Sequence, residues 1–515
     1  MLLQKKHVSR STAFNLIRLT IKMLLFAAAV VVQIGLYALL IVFADAAWYM
    51  RTIVSVLGLV FVLIVHLRSI NMAYKLSWSF LILLFPVIGT VLYFVFGGKR
   101  SLPRRKAEAV GAYLALNRLE TEILPRLRNE NETACKLAMT VFSESQMPLY
   151  EHTATKYYDN ILEKHNDMLR DIKSAKDFIF MEYFIASDGY VLNTILDALE
   201  EKGREGVEIK FMFDDIGSMK RLRGKTKHRI VSIPNLQVCV YEPVGLRLNP
   251  RINFRDHRKI VIIDGRIGYI GGDNLADEYI NKKIKFGHWR DNAMRIEGMA
   301  VDALVLLFAE MWYITADVKL DTGLYIKSHQ VENNGYVMPF GDGPANSGDP
   351  AYDLFSAMIA NADKYMYLST PYFILDSAFI GQIELAAKSG VDVKILLPHI
   401  PDKKLTFKLT RGHYRQILRA GGKIYEYTPG FNHAKNLIVD DRYAFIGTVN
   451  CDYRSMFLHY ENGALLIDNS DIRLMRDDFL RAIGQSEEIT LEKWNKRLLF
   501  SKIIEKIFQI AAPMF

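Results

Sequence analysis

Two histidines, each two residues ahead of a lysine and seven ahead of an aspartate, are the residues best placed to do chemistry. The first set is His257, Lys259, Asp264, Gly271 and Asn274; the second, 176 positions on, is His433, Lys435, Asp440, Gly447 and Asn450. Both fit one template of His, any residue, Lys, four mostly apolar residues, Asp, six residues, Gly, two residues, Asn. Five fixed positions of these types match by chance in roughly one chain in ten thousand, so two matches mark a duplication. In an extended segment, residues two apart share a face, so each His stands beside its Lys. Two cationic groups are costly to bury in an apolar core, and together they call for an anion. Phosphate fits: Lys supplies a compact positive charge, and His serves as nucleophile or proton carrier. Asn274 and Asn450 add neutral donors for a phosphate oxygen. No Walker-type loop and no convincing metal-ligand spacing occurs, so no metal or other cofactor is expected. Charge stabilisation then falls to Lys259 and Lys435.

A carboxylate follows each set at the head of an apolar stretch. Asp291 stands in Trp289-Arg-Asp-Asn-Ala, and Glu461 in His459-Tyr-Glu-Asn-Gly-Ala. The shared order of acid, Asn and small residue makes them repeat equivalents. A catalytic His needs a partner on its far nitrogen, and Asp291 and Glu461 are the candidates for orienting it. Asp264 and Asp440 belong to the candidate catalytic motif by position. Each precedes a turn (Asp264-Gly265, Asp440-Asp441), where Asp commonly bonds nearby backbone, and this favours a structural role. Arg247, Arg251 and Arg255 are read equally as a second phosphate-binding set or as a solvated basic loop.

The elements that must carry these residues repeat as well. In the first half, a strand at Phe178–Ile185, a helix near Val191–Lys202 and a strand at Gly206–Phe213 precede the motif. In the second, a strand at Tyr365–Ser369, a helix ending at Lys388 and a strand at Gly390–Leu397 do the same. Tyr183-Phe184 and Tyr372-Phe373 correspond. This alternation predicts an α/β fold of two similar lobes, with mixed, largely parallel sheets flanked by helices. The apolar motif strands should be central and buried on both faces. The expected boundaries are an anchor at 1–98, a helical connector at 99–150, lobes at 151–325 and 326–497, and an amphipathic helix at 498–515. That last helix lies in a membrane interface or caps the second lobe.

The anchor is read from three apolar runs, 23–44, 52–67 and 76–96. The first is long enough for a hydrocarbon core of about 30 Å and too long for the apolar part of a signal peptide. Pro86 and Gly89 interrupt the third. Basic clusters flank the module (Lys5 to Lys22, Lys99 to Lys106), and the positive-inside rule wants both in the cytoplasm. Two full crossings with the middle or third segment re-entrant satisfy it, leaving the catalytic lobes at the cytoplasmic face. The net charge of +9 then suits anionic lipid head groups better than nucleic acid. Cys135, Cys239 and Cys451 are scattered and odd in number, which indicates reduced, non-catalytic thiols.

The paired motifs resemble the phospholipase D superfamily, and within it the bacterial cardiolipin synthases. Asn253-Phe-Arg-Asp-His-Arg-Lys-Ile-Val-Ile-Ile-Asp-Gly, Gly271-Gly-Asp-Asn-Leu-Ala-Asp-Glu-Tyr, Trp289-Arg-Asp, Pro371-Tyr-Phe and Gly447-Thr-Val-Asn-Cys-Asp-Tyr-Arg-Ser carry the resemblance. It extends over roughly residues 50–495 and includes the third apolar run. This chain departs from the pattern in an additional apolar segment at the N-terminus and in Ala434, where many relatives carry Ser. The resemblance implies that the two lobes form one site without metal or cofactor, pairing His257 with Glu461 and His433 with Asp291. It implies His257 as nucleophile and His433 as acid and base. The reaction implied takes two phosphatidylglycerol molecules to cardiolipin and glycerol through a phosphatidyl-histidine, at a bacterial cell membrane and with anionic lipid as partner. Hydrolysis to phosphatidic acid, transfer to another alcohol such as serine, and a membrane-tethered phosphodiesterase or nuclease are the alternatives. No nucleic-acid-binding signature supports the last, and oligomeric state is not legible.

Overall fold

A computed structural model describes residues 48–68, 71–97, 123–243 and 253–497, with a few isolated positions elsewhere. Nearly all of the first apolar run, both flanking basic clusters, Arg247, Arg251 and most of the C-terminal segment lie outside the described residues.

The sequence repeat is a repeat of topology. The first sheet runs Thr153–Tyr158, Ala293–Gly298, Ile267–Gly271, Lys259–Ile263, Phe178–Tyr183, Glu208–Asp214, Leu236–Tyr241. The second runs Tyr336–Asp342, Glu461–Ile467, Tyr443–Gly447, Asn436–Val439, Tyr365–Ser369, Asp392–Pro398, Lys423–Tyr427, and adds Ser486–Glu488 at its edge. Position for position, the first seven strands correspond. The motif strands Lys259–Ile263 and Asn436–Val439 lie mid-sheet with every residue buried, which is where a β-branched, apolar run belongs.

The sheets are mixed, as expected, but not largely parallel. In the first, only the pairs made by Glu208–Asp214 with its two neighbours are parallel; in the second, only those made by Asp392–Pro398. The reason is the turn after each motif strand. Asp264 and Gly265 (φ 53° and 65°), and Asp440 and Asp441 (φ 57° and 56°), are left-handed at both central positions. That geometry reverses the chain into a hairpin, so helix crossovers serve only the strands before the motif.

A helix at Val301–Ala316 is apolar almost all round and correspondingly buried. It packs against strands of both sheets. Its Glu310 pairs with Arg258 at 2.9 Å, and Arg258 also donates to the carbonyl of Glu461 at 3.2 Å. The expected connector is not a linker. Its described helix Glu132–Ser145 packs on helix Pro350–Ala360 and strand Tyr336–Asp342 of the second lobe, and helix Ile123–Glu130 packs against Glu132–Ser145.

The N-terminal module folds as three helices, Trp48–His66, Met72–Leu84 and Pro86–Phe96. The third apolar run doubles back at Phe85-Pro86, where proline ends one helix and starts the next. Trp78 and Tyr93 meet edge-on with ring centroids 5.5 Å apart; in one straight helix they would be about 22 Å apart along the axis. Gly89 is required here, since a Cβ would lie 2.6 Å from the carbonyl oxygen of Leu81. Among the described residues no helix is long and apolar enough to cross a membrane. The module's outer surface is nonetheless apolar, with Leu59, Leu63, Phe80, Leu83, Val91 and Phe94 exposed. It docks on the second lobe through Asn71 and Asp376 at 2.8 Å and through Tyr74 against Tyr453 and Phe457.

Candidate active site

Each lobe finishes the other's half-site. The backbone N–H of His257 donates to the carbonyl of Tyr460 at 2.8 Å, and that of His433 to the carbonyl of Arg290 at 2.7 Å. Tyr460 and Arg290 are the residues just before the two carboxylates, so the bridges are reciprocal. His257 Nδ1 consequently lies 2.8 Å from Glu461 Oε2, and His433 Nδ1 2.6 Å from Asp291 Oδ2. With Nδ1–H engaged by a carboxylate, Nε2 is the free nitrogen of each ring.

The asparagines after the carboxylates continue the exchange. Asn462 Oδ1 accepts from the backbone N–H of Lys259 at 3.0 Å, and Asn292 Oδ1 from that of Lys435 at 3.3 Å. Sequence reasoning noted the acid-Asn pair without assigning the Asn a function. Lys259 and Lys435 are buried, and each ammonium donates to the carbonyl of the histidine two residues earlier.

Burial and the two ammonium groups push both imidazoles well below their ordinary pKa, favouring the neutral ring. Burial also lowers Lys259 to about 8 and Lys435 to about 7, despite the opposing pull of Glu461 and Asp291 respectively. Asp291 is raised to about 6 by burial, against the field of Lys435. Burial outweighs these carboxylates at both lysines, and the charge of a phosphodiester anion would favour the protonated form of each lysine and imidazole.

His257, His433, Asn274 and Asn450 line one cavity of about 800 Å³. Asn274 is committed: its Oδ1 accepts from the N–H of Ile185 at 3.0 Å and its Nδ2 donates to Tyr279 Oη at 2.7 Å. Asn450 Oδ1 is buried with no partner. The structure does not bring Asp264 and Asp440 here. Each stands at the far end of its motif strand and accepts three backbone N–H bonds of 2.7–2.9 Å from the segment entering the neighbouring strand. Asp264 and Asp440 are therefore corrected from candidate catalytic groups to fasteners of the sheet. Arg255 lines the cavity but is tied to Asp214 at 2.8 Å.

Sequence reasoning missed His459. It lines the cavity, its Nδ1 lies 3.7 Å from Glu461 Oε1, and its ring centroid lies 5.7 Å from that of His257. A signal existed, because His459 is two residues before Glu461 as Trp289 is two before Asp291. His257, His459 and Glu461 have ligand atoms within 4.8 Å of one another. That spacing suits a metal ion, but Glu461 already accepts from His257 and Thr448, and the positive charges of Lys259 and Lys435 act on His257. These residues therefore do not fit a dication.

Two matching α/β lobes that cross-pair a histidine with a carboxylate over a buried pair of lysines define the two-lobed phospholipase D-like class. A family model described as "Cardiolipin synthase, PLD-like domain" matches residues 168–298 and 355–483, and one described as "Phospholipase_D-nuclease N-terminal" matches residues 53–98. The chain belongs to the cardiolipin synthase family of phospholipase D-like proteins. It is 34% identical over 461 residues to a protein named cardiolipin synthase 2 from Bacillus anthracis, covering 88% of each chain. It is 34% identical over 467 residues to a cardiolipin synthase of Staphylococcus aureus (strain Mu50), covering 87% of this chain and 92% of that one. Among solved structures, phosphatidylserine synthase of Haemophilus influenzae superposes with a TM-score of 0.57 at 17% identity, over 75% of this chain and all of the other. That likeness concerns the fold alone.

Proposed function

We propose that this enzyme is a cardiolipin synthase, transferring a phosphatidyl group from one phosphatidylglycerol to another with release of glycerol. The crossed pairing of His257 with Glu461 and His433 with Asp291 at one cavity carries this reading. Its membership of the family narrows the phosphodiester to a phospholipid.

In the first displacement, neutral His257 Nε2 attacks phosphorus and the bond to the glycerol oxygen breaks. His433 Nε2–H gives that oxygen its proton. Burial and the two lysines depress His433; the substrate's negative charge offsets the lysines, so the imidazole can hold a proton when one is needed. In the second displacement, His433 Nε2 takes the proton of the acceptor hydroxyl, the new O–P bond forms and the P–Nε2 bond breaks. Lys259 and Lys435 offset charge growing on the phosphoryl oxygens, with Asn450 Nδ2 and the one Nδ2 hydrogen of Asn274 not given to Tyr279 as the neutral phosphate-binding donors. Glu461 and Asp291 hold the ring orientations and stabilise the cationic ring in turn.

We place the apolar N-terminal helices in the bilayer, with the catalytic lobes at its cytoplasmic face. Support comes from their exposed side chains and from their contact with Tyr453, which also lines the cavity. A lipid could pass from the apolar surface to the histidines without leaving the protein.

The test incubates the full chain in vesicles of phosphatidylglycerol alone. Cardiolipin and free glycerol in equal amounts are expected; phosphatidic acid as the main product would make the enzyme a hydrolase. Added serine or another labelled alcohol reports transfer elsewhere.

A further inference from the structure

The reaction needs two phosphatidylglycerol molecules, yet Lys259 and Lys435 serve only the phosphate under attack. The acceptor brings a second phosphate, separated from its reacting hydroxyl by three carbons. Five cationic side chains line the cavity: Arg221, Arg255, Lys285, Lys403 and Arg454. Arg255 is held by Asp214, and Arg221 and Lys285 both face Glu278 at 2.7 and 3.9 Å. Among the described residues, Lys403 and Arg454 have no carboxylate within ion-pair distance.

We propose that Lys403 and Arg454 form the binding site for the phosphate of the acceptor lipid. The proposal rests on the cardiolipin synthase reading and adds the subsite it lacks.

Both cations stand close enough to Asp452 for their charges to act on it, so they share one part of the wall. Lys403 also lies over the Tyr372 ring, 4.8 Å from its centroid, and its charge reaches both His257 and His433. Arg454 follows Tyr453, the residue on which Tyr74 of the N-terminal hairpin docks. The pair therefore lies between the reacting histidines and the apolar helices, where an acceptor's head group sits if its acyl chains remain against those helices. Asp452 is itself engaged, since Oδ1 accepts from the backbone N–H of Ser455 at 2.9 Å. Asp402, next to Lys403 on the same wall, is likewise engaged, accepting from Tyr372 Oη at 2.6 Å. A phosphodiester between them makes charge-assisted bonds; free glycerol, which has no phosphate, makes none.

That contrast supplies the experiment. Lys403→Gln, Arg454→Gln and the double variant are assayed in the full-length protein for two reactions. One is cardiolipin formation from phosphatidylglycerol; the other is exchange of labelled free glycerol into phosphatidylglycerol, which uses the same histidines and an acceptor without phosphate. Each single change should cut the ratio of cardiolipin formation at low phosphatidylglycerol to glycerol exchange at least tenfold, mainly through the KM of cardiolipin formation. Arg454→Lys should recover part of the loss. Equal loss of both reactions would show a general or structural effect, and unchanged cardiolipin formation would show that the acceptor phosphate binds elsewhere; either outcome overturns the subsite. Wild-type protein forming no cardiolipin at all would instead overturn the reaction on which the subsite rests.

Discussion

The two half-sites share a plan and differ in what surrounds the carboxylate. At the first histidine, Glu461 accepts from His257 and from Thr448 Oγ1. At the second, the equivalent of Thr448 is Gly272, where a Cβ would lie 2.1 Å from Asp291 Oδ1 and 3.2 Å from Lys435 Nζ. Asp291 instead accepts from the N–H of Asn292 at 3.0 Å and from Trp289 Nε1 at 3.4 Å, while Lys435 Nζ approaches His433 Nδ1 at 2.9 Å. The aromatic wall differs too: Trp289 packs 5.1 Å from His433, and its equivalent His459 sits beside His257. A carboxylate held by a hydroxyl, with no lysine beside the ring nitrogen that it engages, suits a ring that must remain cationic while bonded to phosphorus. A carboxylate in close competition with a lysine suits a ring that gains and loses a proton within each turnover. Duplication supplied two equal histidines, and their neighbours made them unequal.

The comparison breaks most completely at the histidines. His257→Ala and His433→Ala should each lower cardiolipin formation by at least about a thousandfold. Only His433→Ala should still trap phosphatidyl on the protein after brief exposure to radiolabelled lipid. Label trapped by His257→Ala instead would exchange the two roles, and a fully active His433→Ala enzyme would remove the scheme.

A smaller contrast comes from the residues beneath the carboxylates. Gly272→Ala forces Asp291 aside and should cost about a hundredfold in kcat, since misplacement by an ångström is felt at that scale. Thr448→Ala removes one donor from Glu461 and should cost about tenfold. Equal effects in steady-state kinetics would mean that the two carboxylates are not held differently.

The pH response should separate the lysines. Lys435, lowered to about 7, is charged below that pH and loses its charge above it; Lys259 follows near 8. Affinity for the lipid anion is therefore greatest on the acid side, and KM should rise about tenfold between pH 6.5 and 9. Lys435→Arg keeps its charge throughout and should flatten the lower part of that rise. Stability moves the other way: the unfolded chain binds more protons than the folded one between about pH 7 and 10, so the lipid-free protein gains stability across that window.

The smallest effects on chemistry belong to residues that differ or agree away from the cavity. Arg258→Ala strands Glu310 in the core and should cost about 3–5 kcal/mol in denaturant unfolding. At the equivalent position, Ala434→Ser should alter stability little. Asp264→Ala and Asp440→Ala should each cost about 1–3 kcal/mol, with kcat of the folded enzyme nearly unchanged. A large kcat loss in either aspartate variant would return that residue to the chemistry.

Much of this was legible because duplication repeats a residue's company along with the residue. His257, Lys259, Asp291 and their counterparts could be aligned within one chain, and so could the strands before them. The crossing of the pairs was not readable from spacing; it came from the family resemblance, because which lobe supplies a carboxylate depends on a bridge between distant segments. Asp-Gly after the first motif signalled the hairpin that makes the sheets mixed, but alternation with helices outweighed it. Lys403, Arg454 and the docking of helix Glu132–Ser145 left no trace in the repeat. Each depends on a contact made by one lobe alone.

The reciprocal bridges also bear on how such a chain can be divided. The segment before His257 pairs with the segment before Glu461, and the segment before His433 with the one before Asp291. The two exchanges are reciprocal, as an approximate two-fold axis between the lobes would make them. Two identical half-length chains meeting about that axis would reproduce both, since an isologous contact returns to each copy what it supplies to the other. A single such chain would hold a histidine with no carboxylate partner. Obligatory pairing thus precedes catalysis in this architecture, and the covalent joining of the halves is what released each from having to match its partner.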